Sequence, residues 1–222
     1  MSSDRLAPLI VLAMFTILVI WAFLPRVIFS FFPETLSAYF KNDDIFIKNQ
    51  LDKDDVSSTI NILESLGFIK LGVMITKPPL WGKKQRSLIF ASEKERTFAT
   101  VVHANYKTVC VFLTSFSGGQ IVTTSNKDVF RSIRTQEGTQ AKIYNVDISD
   151  LLAFHQKEVD KSRNKGFAPI KKFTQQTRIE AITSFYMIKR IRRGLLIWGS
   201  LYLFFIIGFC FILGYFILKL NF

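Results

Sequence analysis

Two stretches of this chain carry no charged residue and are long enough to cross a lipid bilayer, and they decide most of what it can fold into. Leu6 to Leu24 reads LAPLIVLAMFTILVIWAFL, 19 residues, and Gly194 to Leu218 reads GLLIWGSLYLFFIIGFCFILGYFIL, 25 residues. At about 1.5 Å per residue the shorter run extends roughly 28 Å as a helix, close to the ~30 Å of a hydrocarbon core. Both are expected as transmembrane helices. The first reads as a retained anchor and not a cleaved signal peptide: its apolar run exceeds the usual ~7–15 residues, Asp4 precedes it, and Pro25-Arg26 stands where a small-x-small cleavage site would. A buried core helix as long as the second run would need a larger protein than 222 residues around it.

The charge lies between the runs. The chain has 29 Lys plus Arg against 17 Asp plus Glu, a formal +12, and only Arg5, Lys219 and Asp4 fall outside residues 26–193, which leaves 27 against 16 there, or +11. In a soluble chain such an excess suggests nucleic acid; beside two apolar runs it reads as the Lys/Arg bias that orients membrane helices. Lys189, Arg190, Arg192 and Arg193 crowd the start of the second run and Arg26 follows the first, whereas the far ends carry only Arg5, offset by Asp4, and Lys219. The expected topology puts both termini outside and the central segment in the cytoplasm, with a bacterial inner membrane as the location. With 14% aromatic residues, 23 of them Phe, global disorder is excluded, and two cysteines exclude a disulfide framework or a cysteine-rich zinc module.

The expected organisation is a transmembrane helix at 6–24, an interfacial segment and linker at 25–54, a cytoplasmic α+β domain at 55–173, a stalk helix at 174–193 and a second transmembrane helix at 194–218. Asp43 to Asp55 reads as a polar linker leading to Asp54 or Asp55 as N-cap of a helix carrying Val56, Ile60 and Leu63 on one face and ended by Gly67. Five strands follow, within FIKLGVMIT, SLIFAS, TFATVVHA, KTVCVFLTS and QIVTT. Their connections are too short for parallel crossovers, so the fold class is α+β, with an antiparallel sheet of about five strands and flanking helices, held between two transmembrane helices. NKDVFRSIR reads as a short helix, SDLLAFHQKEVDKSRN as a longer one capped by Ser149 or Asp150, and the stalk is expected to bend at Gly194.

The string LESLGFIKLGVMI, followed by RSLIFASEKERTFATVVHANYKTVCVFLTSFSGGQIVTTSN, resembles a widespread bacterial domain family of unknown function, marked by an LGF…LG helix-to-strand junction and a TxFxGGxxxTT hairpin. The resemblance covers roughly residues 58 to 160. It implies an α+β domain with an antiparallel sheet and brings no activity, cofactor or catalytic residue.

Few residues suggest chemistry. If Asn105-Tyr106 is a two-residue hairpin loop, His103 pairs with Thr108 and Val101 with Cys110, and His103 lies diagonal to Cys110 at roughly 7–8 Å between backbones, reachable but not a ready-made hydrogen bond, so a small buried thiol and a hairpin-end histidine are expected. His155 with Glu158 and Asp160 supplies too few ligands for a metal. Gly118-Gly119 precedes a strand and not a helix, so it reads as a turn and not a phosphate loop. No catalytic, metal or cofactor residue is assigned. The most suggestive stretch is Pro78 to Arg86 (PPLWGKKQR), where Trp81 beside Lys83, Lys84 and Arg86 matches an interfacial anchor. These four residues and Lys189, Arg190, Arg192 and Arg193 are the candidate membrane-surface contacts. A second basic cluster, Lys161 to Lys172, could meet RNA, but the sheet lacks the paired aromatics of an RNA-recognition surface. Gly199, Ser200, Gly208 and Gly214 permit close helix approach in the second run, and neither run holds a charge that would suggest an ion pathway. The expected function is a membrane-anchored, non-enzymatic binding, scaffolding or accessory subunit of a membrane complex. Its partners would be anionic lipid headgroups and a protein, with no cofactor. A hydrolase or transferase with an unrecognised site, or an RNA- or small-ligand-binding sensor, is the alternative.

Overall fold

The computed structural model describes residues 3–51, 53–104, 107–127, 133–134 and 140–220. The chain divides into two compact units, one made of Met1–Ser37, Lys77–Lys84 and Tyr186–Phe222, the other of Ala38–Thr76 and Gln85–Phe185.

The first unit holds the apolar helices α1 (Ser3–Phe31) and α6 (Lys189–Leu220). Within them Ala13–Phe31 and Ile191–Phe216 are long and apolar enough to cross a membrane. α1 runs beyond the expected end at Leu24, through Pro25, to Phe31. The two helices run antiparallel: Phe15 meets Phe209, Phe23 meets Phe205 and Tyr202, and Gly199 lies against Ser30 so closely that a Cβ added there would come within 2.6 Å of the Ser30 Cβ. Of the small residues in α6, Gly199 is the one used for close approach; Gly208 and Gly214 have nothing within 4 Å of an added Cβ. α6 is helical through Gly194. The helix break falls at Ile188, between α5 (Gln175–Met187) and α6.

The second unit is α+β. Its strands are β1 (Ser37–Lys41), β2 (Ile69–Lys77), β3 (Gln85–Ser92), β4 (Thr97–Ala104), β5 (Lys107–Ser115), β6 (Ile121–Ser125), β7 (Ile133–Arg134) and β8 (Gln140–Ile143), in the order β1-β2-β3-β4-β5-β6-β8-β7. β2 to β6 form antiparallel neighbours, but β8 lies parallel to β6, so the sheet is mixed and larger than the expected five strands. The strands missed by the sequence are short and lie outside the Val/Ile-rich runs that announce the others. The β4–β5 register is the expected one, Ala104 opposite Lys107, His103 opposite Thr108 and Val101 opposite Cys110; the loop residues Asn105 and Tyr106 lie outside the described residues. So does most of the expected helix NKDVFRSIR, whose described end, Ile133–Arg134, is a strand.

Helices precede and follow the sheet's central strands. α2 (Asp44–Leu51) replaces the expected linker and starts where the Asp43 carboxylate accepts the Phe46 N–H at 3.1 Å. α3 (Asp54–Ser65) begins one residue early, with Lys53 at the cap and both aspartates in the first turn, where the helix dipole favours them. α4 (Ile148–Arg163) is capped at Asp147 and not at Ser149 or Asp150. Strand alternation then sorts the two faces. Ala99, Val101, Cys110 and Phe112 lie under α3 and α4 in one core with Val56, Leu63 and Leu151. On the opposite face Phe98 meets Phe173 at 5.1 Å between ring centroids, and Arg178 of α5, only 4% exposed, donates to Thr100 at 3.1 Å. The part of α5 up to Phe185 is therefore a layer of the domain and not a free stalk.

Candidate functional site

The expected anchor loop, residues 78–84, belongs to the unit of apolar helices, and proline chemistry explains how it is held. Pro25 sits inside α1 and has no N–H, so it cannot close the i→i−4 bond to the carbonyl of Trp21. That carbonyl is taken by the indole of Trp81, whose Nε1–H donates to it at 2.5 Å, while the two indole rings stack with centroids 6.0 Å apart and planes within 7°. An apolar helix tolerates an internal proline when a neighbouring group satisfies the freed carbonyl, and a buried or interfacial indole N–H needs a partner. One contact meets both needs. The loop is shaped for it: Leu80 takes the left-handed conformation at φ 58°, and Gly82 passes so near Pro78 that an added Cβ would lie 2.6 Å from its Cβ.

The cations that follow differ from one another. Lys83 and Lys84 are exposed, and among the described residues no carboxylate is within ion-pair reach of either. Arg86 belongs to the other unit, where its Nε pairs with Asp43 at 3.2 Å and its guanidinium lies over the Phe46 ring. Arg192 and Arg193 are exposed on the first turn of α6; the side chains of Lys189 and Arg190 lie outside the described residues. Arg26, one residue past the proline, spreads its guanidinium over Phe23 and Tyr202 at 5.6 and 5.9 Å.

In the α+β unit the candidates for chemistry are tied up structurally. Complete burial pushes the Cys110 thiol up to about 12, so no thiolate forms near neutrality. His103 bonds Thr108 at 3.1 Å, and Thr108 in turn donates to Asp55, whose carboxyl is held below its ordinary value chiefly by that bond. His155 is fully buried, with Nε2 on Thr114 at 3.0 Å and Nδ1 on Thr124 at 3.1 Å; burial drops its pKa to about 3, against the small upward pull of Glu158. Glu158 receives Lys142 at 2.7 Å, Lys161 at 2.8 Å and the Tyr144 hydroxyl at 3.3 Å. Burial alone would raise its pKa, but the two lysines outweigh burial and hold it below the usual carboxylate value. Among the described residues no group of three potential ligands could hold a metal.

Gly118-Gly119 is the expected hairpin turn, with Gly119 at φ 78°. The basic stretch 161–172 is partly consumed: Lys161 pairs with Glu158, Arg163 with Asp160 at 3.1 Å, and Ile170 N–H bonds the Ser115 carbonyl. An open groove lined by Tyr39, Phe40, Thr174, Gln175, Gln176 and Ile179 holds no carboxylate, histidine or thiol. Sequence reasoning missed the Pro25–Trp21–Trp81 arrangement, although a proline inside an apolar helix and a lone exposed-loop tryptophan were both visible; their pairing across 60 residues was not. Compared with known proteins, the chain matches no family model, no curated protein and no solved structure.

Proposed function

We propose that this protein is a membrane-anchored accessory or scaffolding subunit, in which α1 and α6 span a bilayer and the α+β unit is the soluble module that binds a protein partner. The observation that carries this reading is the exposure of the apolar helices. Phe205, Phe211 and Phe216 of α6 are 52%, 75% and 46% exposed, which is how a helix facing lipid, and not the core helix of a soluble protein, is built. The Lys/Arg bias at Arg26 and at Lys189, Arg190, Arg192 and Arg193 supports the α+β unit on the cytoplasmic side and both termini outside, as in a bacterial inner membrane. Trp81, Lys83 and Lys84 support contact with phospholipid headgroups.

A non-enzymatic role is supported by the chemistry of the domain's titrating groups. Cys110 is a protonated, buried thiol, both nitrogens of His155 bond threonine hydroxyls, and Glu158 is paired with Lys142 and Lys161, which supports structural roles for all three. Purification from native membranes in mild detergent tests the reading. A stoichiometric partner that survives gel filtration is expected, and a monodisperse monomer whose isolated membranes yield no cross-linked complex contradicts it.

A further inference from the structure

The loop held by Trp81 fixes a depth along the helices. Irregular backbone with free N–H and C=O groups does not lie in lipid-facing hydrocarbon, and neither do two unpaired lysines, so the level at which residues 78–84 sit on α1 is outside the hydrocarbon. That level is Trp21. Because Phe15 meets Phe209 and Phe23 meets Phe205, Trp21 stands level with Phe205 or the residue after it on α6. From there the helices run 16 residues to Arg5 and 14 to Lys219, about 24 and 21 Å, short spans that a bilayer meets by thinning locally. A boundary at Arg193 fits less well: Arg193 to Lys219 is 26 residues, about 39 Å, and it would submerge the loop.

We propose that the hydrocarbon boundary on the side of Arg26 crosses the helices at Trp21 and Phe205, that the Pro78–Lys84 loop lies in the headgroup layer with Lys83 and Lys84 on phospholipid phosphates, and that Lys189–Leu201 of α6 stands clear of the hydrocarbon. Ile197, eight residues from Phe205, is then about 12 Å beyond the boundary, and Arg193 about 18 Å. The arginines of α6 remain close enough in sequence to orient the helix, but headgroup contact passes to the loop. Ile197, Trp198 and Leu201, each more than half exposed, lie outside the hydrocarbon, a smaller penalty than immersing the loop's irregular backbone and two ammonium groups.

This inference rests on the membrane-spanning reading, and the test separates the two. In a Cys210→Ser background, with the buried Cys110 left in place, fluorophores are attached to Ile197→Cys, Phe211→Cys and Lys84→Cys in the full chain reconstituted into phospholipid vesicles. Chain-brominated lipid is expected to quench the Phe211→Cys label severalfold more than the Ile197→Cys label, and a headgroup spin label to quench Lys84→Cys. Equal bromine quenching at Ile197→Cys and Phe211→Cys, or an unquenched Lys84→Cys label, overturns the boundary. An unquenched Phe211→Cys label overturns the spanning reading itself.

Discussion

Each unit of the molecule frees one backbone carbonyl and caps it with a side chain from far along the sequence. In the α+β unit the register of β2 slips between Lys70 and Gly72, where Gly72 takes φ 123°, and the carbonyl of the intervening Leu71 is met by Gln175 Nε2 at 2.6 Å. In the helical unit Pro25 frees the Trp21 carbonyl and Trp81 meets it. The caps are chosen for different surroundings. Gln175 is polar and exposed, and water can take its place; Trp81 brings one donor on a large apolar ring, which suits a place where one end of the side chain is apolar and the other polar. The same contrast runs through both units. The domain buries His155 and Glu158 and pairs them internally, whereas the helices bury little and present Phe204 and Phe211 outward.

The comparison can be broken at several points, and the largest effect is expected from acid. His155 is bound neutral, with a folded pKa near 3 against about 6.5 unfolded, so the unfolded chain takes up a proton first and stability falls as pH drops from about 6.5 toward 3, by on the order of 4 kcal/mol. Glu158, whose folded pKa is lowered, adds loss in the same direction as pH falls through that value. Urea unfolding of the detergent-solubilised chain at several pH values measures this; His155→Gln is expected to flatten the slope, and an unchanged slope would show that the buried imidazole is not its source. Next is Glu158→Ala, which strips Lys142 and Lys161 of their shared partner and is expected to destabilise the domain by about 3 kcal/mol in the same assay.

In the helical unit Gly199→Leu drives a side chain into Ser30 and Phe31 and is expected to cost about 2 kcal/mol, read as a lower thermal midpoint and weaker α1–α6 cross-linking with the domain's near-ultraviolet spectrum unchanged. The smallest effects test the two caps directly. Trp81→Phe keeps the ring and loses the donor, an expected loss of about 1 kcal/mol, whereas Gln175→Ala is expected to fall within about 0.5 kcal/mol. Pro25→Ala restores an N–H for the Trp21 carbonyl, so Trp81→Phe should cost less in that background; a double-mutant cycle with no coupling would show that the indole bond does not serve the proline gap.

What could be read from the chain follows from how locally each feature is encoded. The apolar runs and the strands β2 to β6 announce themselves by composition and alternation, and the His103–Thr108 and Val101–Cys110 register follows from a tight loop. Features set by long-range pairing were hidden. β8 becomes a strand by lying beside β6, α2 is eight residues with one capping aspartate, and Arg178 looks like one more cation until Thr100 and Phe98 receive it. Of the candidate contacts, Trp81, Lys83 and Lys84 share a loop as adjacency in sequence implies, while Arg86, two residues further, is paired with Asp43, a partnership no local signal records.

The central claim is that α1 and α6 cross a membrane with the α+β unit between them on the cytoplasmic side. Labelling of intact cells with a membrane-impermeant maleimide tests it most directly, using Asp4→Cys and, separately, Lys94→Cys in the exposed β3–β4 turn, each in the Cys210→Ser background. The account predicts that Asp4→Cys is labelled in intact cells and Lys94→Cys only after lysis. Labelling of Lys94→Cys in intact cells would contradict it.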